Sequence, residues 1–105
     1  MHMSKTVRFS IVRPVNPIGL SFVRYCWGAM GARAPEVLRD HKTEFARLLR
    51  GLGEAIVKRV GEGALVTGTI EFELDDNSRP VSARVLKLEI WEKRGVVEEP
   101  VEVSL

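Results

Sequence analysis

Cys26 is the only cysteine in a chain of 105 residues. That rules out an internal disulfide and any zinc site built from several thiolates. Nowhere do about eighteen apolar residues follow one another, so no segment reads as a membrane-spanning helix. The N-terminus also lacks the basic, apolar and small-residue order of a secretory signal, and a soluble cytoplasmic protein is the expectation. Gln is missing altogether and Asn occurs only at 16 and 77, whereas charged residues make up 29%. Few thermolabile amides among many charges is a hyperthermophile pattern, so a thermophilic source is expected.

Catalytic and cofactor signatures are absent as well. The glycines of Gly28-Ala29-Met30-Gly31 lack the flanking pattern of a phosphate-cradling or dinucleotide loop. Asp75 and Asp76 lack the spaced carboxylates and glycine of a calcium loop, and their context is that of a turn. His41 falls on an apolar helical stripe, where a satisfied core or boundary histidine is the simpler reading. Cys26 sits in an apolar stretch and reads as a small buried hydrophobe. The expectation is a protein that is not an enzyme and takes no cofactor and no metal.

Acid is the scarcity that says most. The first thirty-five residues contain no Asp or Glu, but carry Lys5, Arg8, Arg13, Arg24 and Arg33 among Phe9, Phe22, Tyr25 and Trp27. Residues 1–60 hold eleven Lys/Arg against four Asp/Glu, and residues 61–105 hold five against ten. The net charge of +2 thus conceals a basic half followed by an acidic half. Clustered cations raise the local concentration of polyanions, which makes nucleic acid the first partner to consider.

At this length one small core is the expectation, hence a single domain over 1–105, with residues 1–5 disordered or a cloning remnant. Residues 6–13 alternate, with Val7, Phe9 and Ile11 on one side and Arg8 and Ser10 on the other, as in a half-buried strand ended by Pro14. Asn16-Pro17 resembles a helix start, Asn capping free amides and Pro occupying the first helical position. Residues 18–30 are nearly apolar all round, so a helix there is either buried or at an interface. After a break at 31–34, Pro35 opens a second helix. Leu38, His41, Phe45, Leu48, Leu49, Leu52, Ile56 and Val60 recur at steps of three and four and predict a long amphipathic helix. Arg39, Arg47, Arg50 and Lys58 lie on its outer face, with Glu44–Arg47 and Glu54–Lys58 as expected ion pairs. Gly51 and Gly53 mark a break or the close approach of another backbone.

Gly61-Glu62-Gly63 stops that helix, and from Ala64 the period becomes two, with Ile70, Phe72 and Leu74 on one face. Asp75-Asp76-Asn77-Ser78 is turn chemistry. A third strand over 81–93 changes parity between Val81, Ala83, Val85 and Leu86, Leu88, Ile90, which a bulge near Val85 would reconcile. Val101, Val103 and Leu105 alternate with Glu102 and Ser104 and predict a fourth strand, with Glu98, Glu99 and Glu102 as edge protection. The expected fold class is α+β in the order β-α-α-β-β-β, an antiparallel or mixed four-stranded sheet with two helices on one face.

Aromatic faces stack on any base, and Arg neutralises phosphate while stacking itself. Phe22, Arg24, Tyr25, Trp27 and Arg33 are therefore candidate contacts for single-stranded nucleic acid, although Phe22 and Tyr25 serve equally well as core. Trp91 lies on the strand face opposite Ile90, with Lys87 and Lys93, and is either a stacking platform or a subunit contact. Arg8 and Arg13 complete the candidate set.

The basic first strand ending Ile11-Val12-Arg13-Pro14, the helical stretch from Asn16 to Val60 and the sheet from Ala64 onward resemble, in order and composition, the archaeal ThermoDBP-related single-stranded DNA-binding proteins. That resemblance implies a hydrophobic cleft flanked by basic residues, sequence-tolerant binding of single strands and homo-oligomers. Arg13-Pro14-Val15 before a helix and a hairpin ending Leu88-Glu89-Ile90 resemble the Alba chromatin proteins instead, but that family places a strand where residues 31–34 leave no room. An assembly subunit, with residues 18–30, Gly51/Gly53 and Trp91 as protein interfaces, is the third reading.

Overall fold

The computed structural model describes residues 5–105. β1 runs from Lys5 to Val15, with Val7, Phe9 and Ile11 buried and the residues between them exposed. Lys5 therefore belongs to the sheet, contrary to expectation; residues 1–4 lie outside the described range. The strand also continues past Pro14. It is an edge strand, where a missing amide costs no ladder bond, and its register with its neighbour shifts between Ile11 and Val15.

Asn16 builds a turn before the first helix rather than capping it. Its Oδ1 accepts the Ile18 amide at 3.1 Å and its carbonyl the Gly19 amide at 2.9 Å. α1 then spans Leu20–Arg33 from Gly19 as N-cap, burying Phe22, Cys26 and Met30 at steps of four. α2 is a short helix, Pro35–Asp40, and α3 runs from Lys42 to Val60, so three helices replace the two expected. The break between them is His41, whose Nδ1 lies 3.0 Å from Glu44 Oε2 and whose Nε2 lies 3.0 Å from the carbonyl of Asn77. Glu44 is thus engaged by His41, and Glu54 by Arg50 at 3.4 Å, in place of the two pairs anticipated. α3 buries Phe45, Leu49, Leu52, Gly53 and Ile56. A Cβ on Gly53 would come within 2.4 Å of the Pro17 carbonyl oxygen, so the loop before α1 crosses α3 at the one place a hydrogen allows.

Gly61, at φ 93°, turns the chain out of α3. β2, Leu65–Leu74, and β3, Pro80–Trp91, form a hairpin, and the sheet order is β1-β2-β3 with both pairings antiparallel. In the hairpin turn Asp75 Oδ1 accepts the amides of Asn77 at 2.9 Å and Arg79 at 3.0 Å, and the Arg79 amide leads in holding this carboxyl below its usual range. A parity change does occur in β3, two residues beyond Val85. Thr67 pairs with Glu89 and Thr69 with Leu86, so Lys87 and Leu88 together face Gly68, and Lys87 takes φ 54°. The bulge puts Val85 and Ile90 on one face, opposite Ile70 and Val66, and turns Leu86 to the other with Thr69.

α1 and α3 lie against the first of those faces, and α2 packs on both of these helices, with Val37 in the shared core. The core there is a chain of rings, with Phe9 6.3 Å from Phe72, Phe72 5.1 Å from Phe45, and Phe45 edge-on to Trp27 at 4.9 Å. The expected fourth strand does not form: residues 92–105 make no regular structure, and Val101 and Val103 are 91% and 95% exposed. The result is an α+β fold with a three-stranded antiparallel sheet. No helix among the described residues is long and apolar enough to cross a membrane.

Candidate functional site

Because β-strand side chains alternate, the odd residues of β2 and their partners form a second sheet face that no helix covers. In its middle, Glu71 of β2 lies between Arg8 of β1 and Arg84 of β3. Arg8 donates from Nε at 2.8 Å and from Nη2 to one carboxylate oxygen; Arg84 donates from Nε at 2.7 Å and Nη2 at 2.6 Å to the other. The two arginine stems wall Glu71 in, leaving it 7% exposed on an open face. Hydrogen bonds from Arg8 first and Arg84 next lower its pKa, so the trio carries a net positive charge.

Toward the other end of that face Trp91 stands among hydroxyls, with Lys87 and Glu89 beside it. The Ser10 and Thr69 hydroxyls meet at 3.2 Å across the strands. Trp91 is 49% exposed, yet its indole Nε1 donates to the Thr67 hydroxyl at 2.9 Å, and Thr67 is itself buried and directed toward Glu89 at 3.4 Å. A side chain that would otherwise swing freely is thus held at one end. A shallow depression of about 260 Å³ lies between Trp91, Lys87, Val12, Ser10 and Thr69.

A second concavity, of about 600 Å³, runs beside the free edge of β1, lined by Phe9, Arg24, Tyr25, Ala29, Ala32 and Arg33. Tyr25 packs on Phe9 at 6.3 Å between ring centres and its hydroxyl donates to the Ser10 carbonyl. A third, of about 430 Å³, lies between α1 and α3 around Trp27, Ile18 and Val23. No protein-family model matches the chain, and no curated protein or solved structure is significantly similar to it. Its chemistry has to be argued from these surfaces.

The candidate residues read from sequence therefore separate. Arg8, Lys87 and Trp91 share the helix-free sheet face, whereas Arg24, Tyr25 and Arg33 share the groove at the β1 edge. Phe22 is core, 1% exposed, and cannot offer its face to a base. Trp27 is half-buried against Phe45 on the side of α1 turned to α3, away from Trp91. Arg13 is exposed near the end of β1, and Lys93 lies in the segment after β3. Arg84 and Thr67 escaped the sequence reading. Both matter only through cross-strand register, though the outward parity of Arg8, Glu71 and Arg84 is a signal that pairing would have completed.

Neither catalytic alternative gains from the structure. Burial pushes the Cys26 thiol up to about 12, where the nucleophilic thiolate is scarce. Both ring nitrogens of His41 are engaged. Among the described residues no group of three or more His, Cys, Asp or Glu side chains could hold a metal ion.

Proposed function

We propose that the chain is a non-enzymatic, sequence-tolerant binder of single-stranded nucleic acid, and that the helix-free sheet face is where the strand lies. The observation that carries this is Trp91, half exposed on an uncovered sheet and anchored through its indole N–H beside Lys87. A ring fixed in place gives up little freedom when a base stacks on it, and every base has a face to offer. Lys87, with Arg8 and Arg84 farther along the same surface, supplies cations for phosphate; Glu71, Glu73 and Glu89 share that face, so stacking on Trp91 and not net charge is its distinguishing offer. The likeness in layout to the ThermoDBP-related proteins points the same way.

Fluorescence anisotropy of a labelled oligothymidine at low salt tests the proposal. Binding is expected, and Trp91→Ala should weaken it by about 1–3 kcal/mol. Failure of the wild-type chain to bind at low salt would end this reading. Equal affinity for duplex of the same length would favour the Alba-like alternative instead.

A further inference from the structure

The basic groove beside β1 and the exposed segment after β3 have no role in that reading. We propose that they belong together, the groove of one copy receiving residues 96–105 of a second copy as an added strand.

The segment has the pattern of a strand that lacks a sheet. Val101, Val103 and Leu105 alternate with Glu102 and Ser104, and Val96 and Val97 are exposed as well. It projects from the body of its own chain. The molecule's extents are 63 × 35 × 22 Å, whereas the longest strand, of 12 residues, accounts for only about 40 Å. The radius of gyration is 16.9 Å, against about 13 Å for a compact chain of this length.

The β1 edge has what such a strand needs. Along an edge strand, alternate residues turn their amides and carbonyls outward, and the Tyr25 hydroxyl on the Ser10 carbonyl shows that the even-numbered residues do so here. Tyr25 occupies that one carbonyl, leaving the backbone of Thr6 and Arg8 for pairing. Beside them the groove is floored by Phe9, Ala29 and Ala32, and a Cβ on Gly28 would meet nothing within 4 Å, which leaves room for valine side chains. Its charged lining is Arg24 and Arg33, with no acid. From residue 95 onward the segment carries Glu98, Glu99 and Glu102 and no base. The charges match, and the acid-poor beginning and acid-rich end of the chain become two halves of one contact. The opposite edge, β3, is a poorer receiver because its bulge at Lys87 interrupts the ladder. Since β1 and β3 are opposite edges, reciprocal exchange between two copies satisfies both segments about a two-fold axis.

Solution mass by light scattering, without nucleic acid, tests this independently of the nucleic-acid reading. The full chain should have twice the monomer mass at low salt. Arg24→Glu/Arg33→Glu and, separately, Glu98→Arg/Glu99→Arg/Glu102→Arg should each be monomeric, because each makes groove and segment alike in charge. Mixing the two variants should restore the dimer, since each groove then meets a segment of opposite charge. Trp91→Ala should remain dimeric. A monomeric wild-type chain, or charge variants that keep the wild-type mass, would overturn the proposal. So would a monomer whose residues 96–105 resist hydrogen exchange, which would mean that the segment docks on its own chain.

Discussion

Two glycines of α3 separate local preference from tertiary contact. Gly51 and Gly53 carry the same intrinsic cost in a helix, about 1 kcal/mol relative to Ala. A Cβ at Gly51 meets nothing within 4 Å, whereas one at Gly53 would lie 2.4 Å from a backbone carbonyl that no rotamer change can move. Gly51→Ala should therefore raise the unfolding free energy by about 0.5–1 kcal/mol, and Gly53→Ala should lower it despite the same gain in propensity. Urea titrations of the two variants against wild type decide it; equal shifts of one sign would show that the Pro17 crossing is not tight. At the same scale the two tryptophans divide their roles. Trp27→Ala, assayed where circular dichroism shows it folded, should leave oligonucleotide affinity unchanged while Trp91→Ala weakens it, and the reverse order would move the site to the helical side. The sequence revealed Trp91 as an aromatic among charges, but it did not separate Phe22 from Tyr25. Both lie on a helix that is apolar nearly all round, and only packing decides which side of it is core.

The Arg8–Glu71–Arg84 trio bridges β1, β2 and β3, which makes its titration a property of the sheet. The folded pKa of Glu71 is depressed below its ordinary 4.5, so its contribution is fully present above that value and is lost as pH falls through the folded pKa. Melting temperature should therefore drop as pH is lowered below about 4.5, and Glu71→Gln should flatten that part of the profile. An unchanged acid limb in the variant would show the bridge to be idle. Periodicity made β1, α3, β2 and most of β3 legible, with α1 read from its apolar run. It missed α2 because the stripe of three and four residues runs straight through His41, and the contact that breaks the helix there is with Asn77, thirty-six residues away. It overstated the C-terminal strand for a related reason. Alternation records that one side of a segment is suited to burial, not that an edge lies within reach on the same chain.

For the whole molecule the division of charge sets how binding should respond to salt. If the strand tracks Arg8, Arg84 and Lys87 alone, about three counterions are displaced, and log K should fall with log salt at a slope near −2. A slope of about −3.5 would bring the groove cations Arg24 and Arg33 into the nucleic-acid contact and set the two proposed surfaces in competition. Fold class was legible from the order of elements, but the partition of the cations over two surfaces was not, since it depends on the cross-strand register that brings Arg8, Arg84 and Lys87 to one sheet face and on the packing that sets Arg24 and Arg33 of α1 beside the β1 edge. The pairing of a sheltered Trp27 with a half-exposed Trp91 also equips the chain with its own optical label. Iodide in solution should extinguish the emission of Trp91 well before that of Trp27. Any occupant of the sheet face can then be followed on the unmodified protein, as protection of the red-shifted, iodide-sensitive part of its fluorescence.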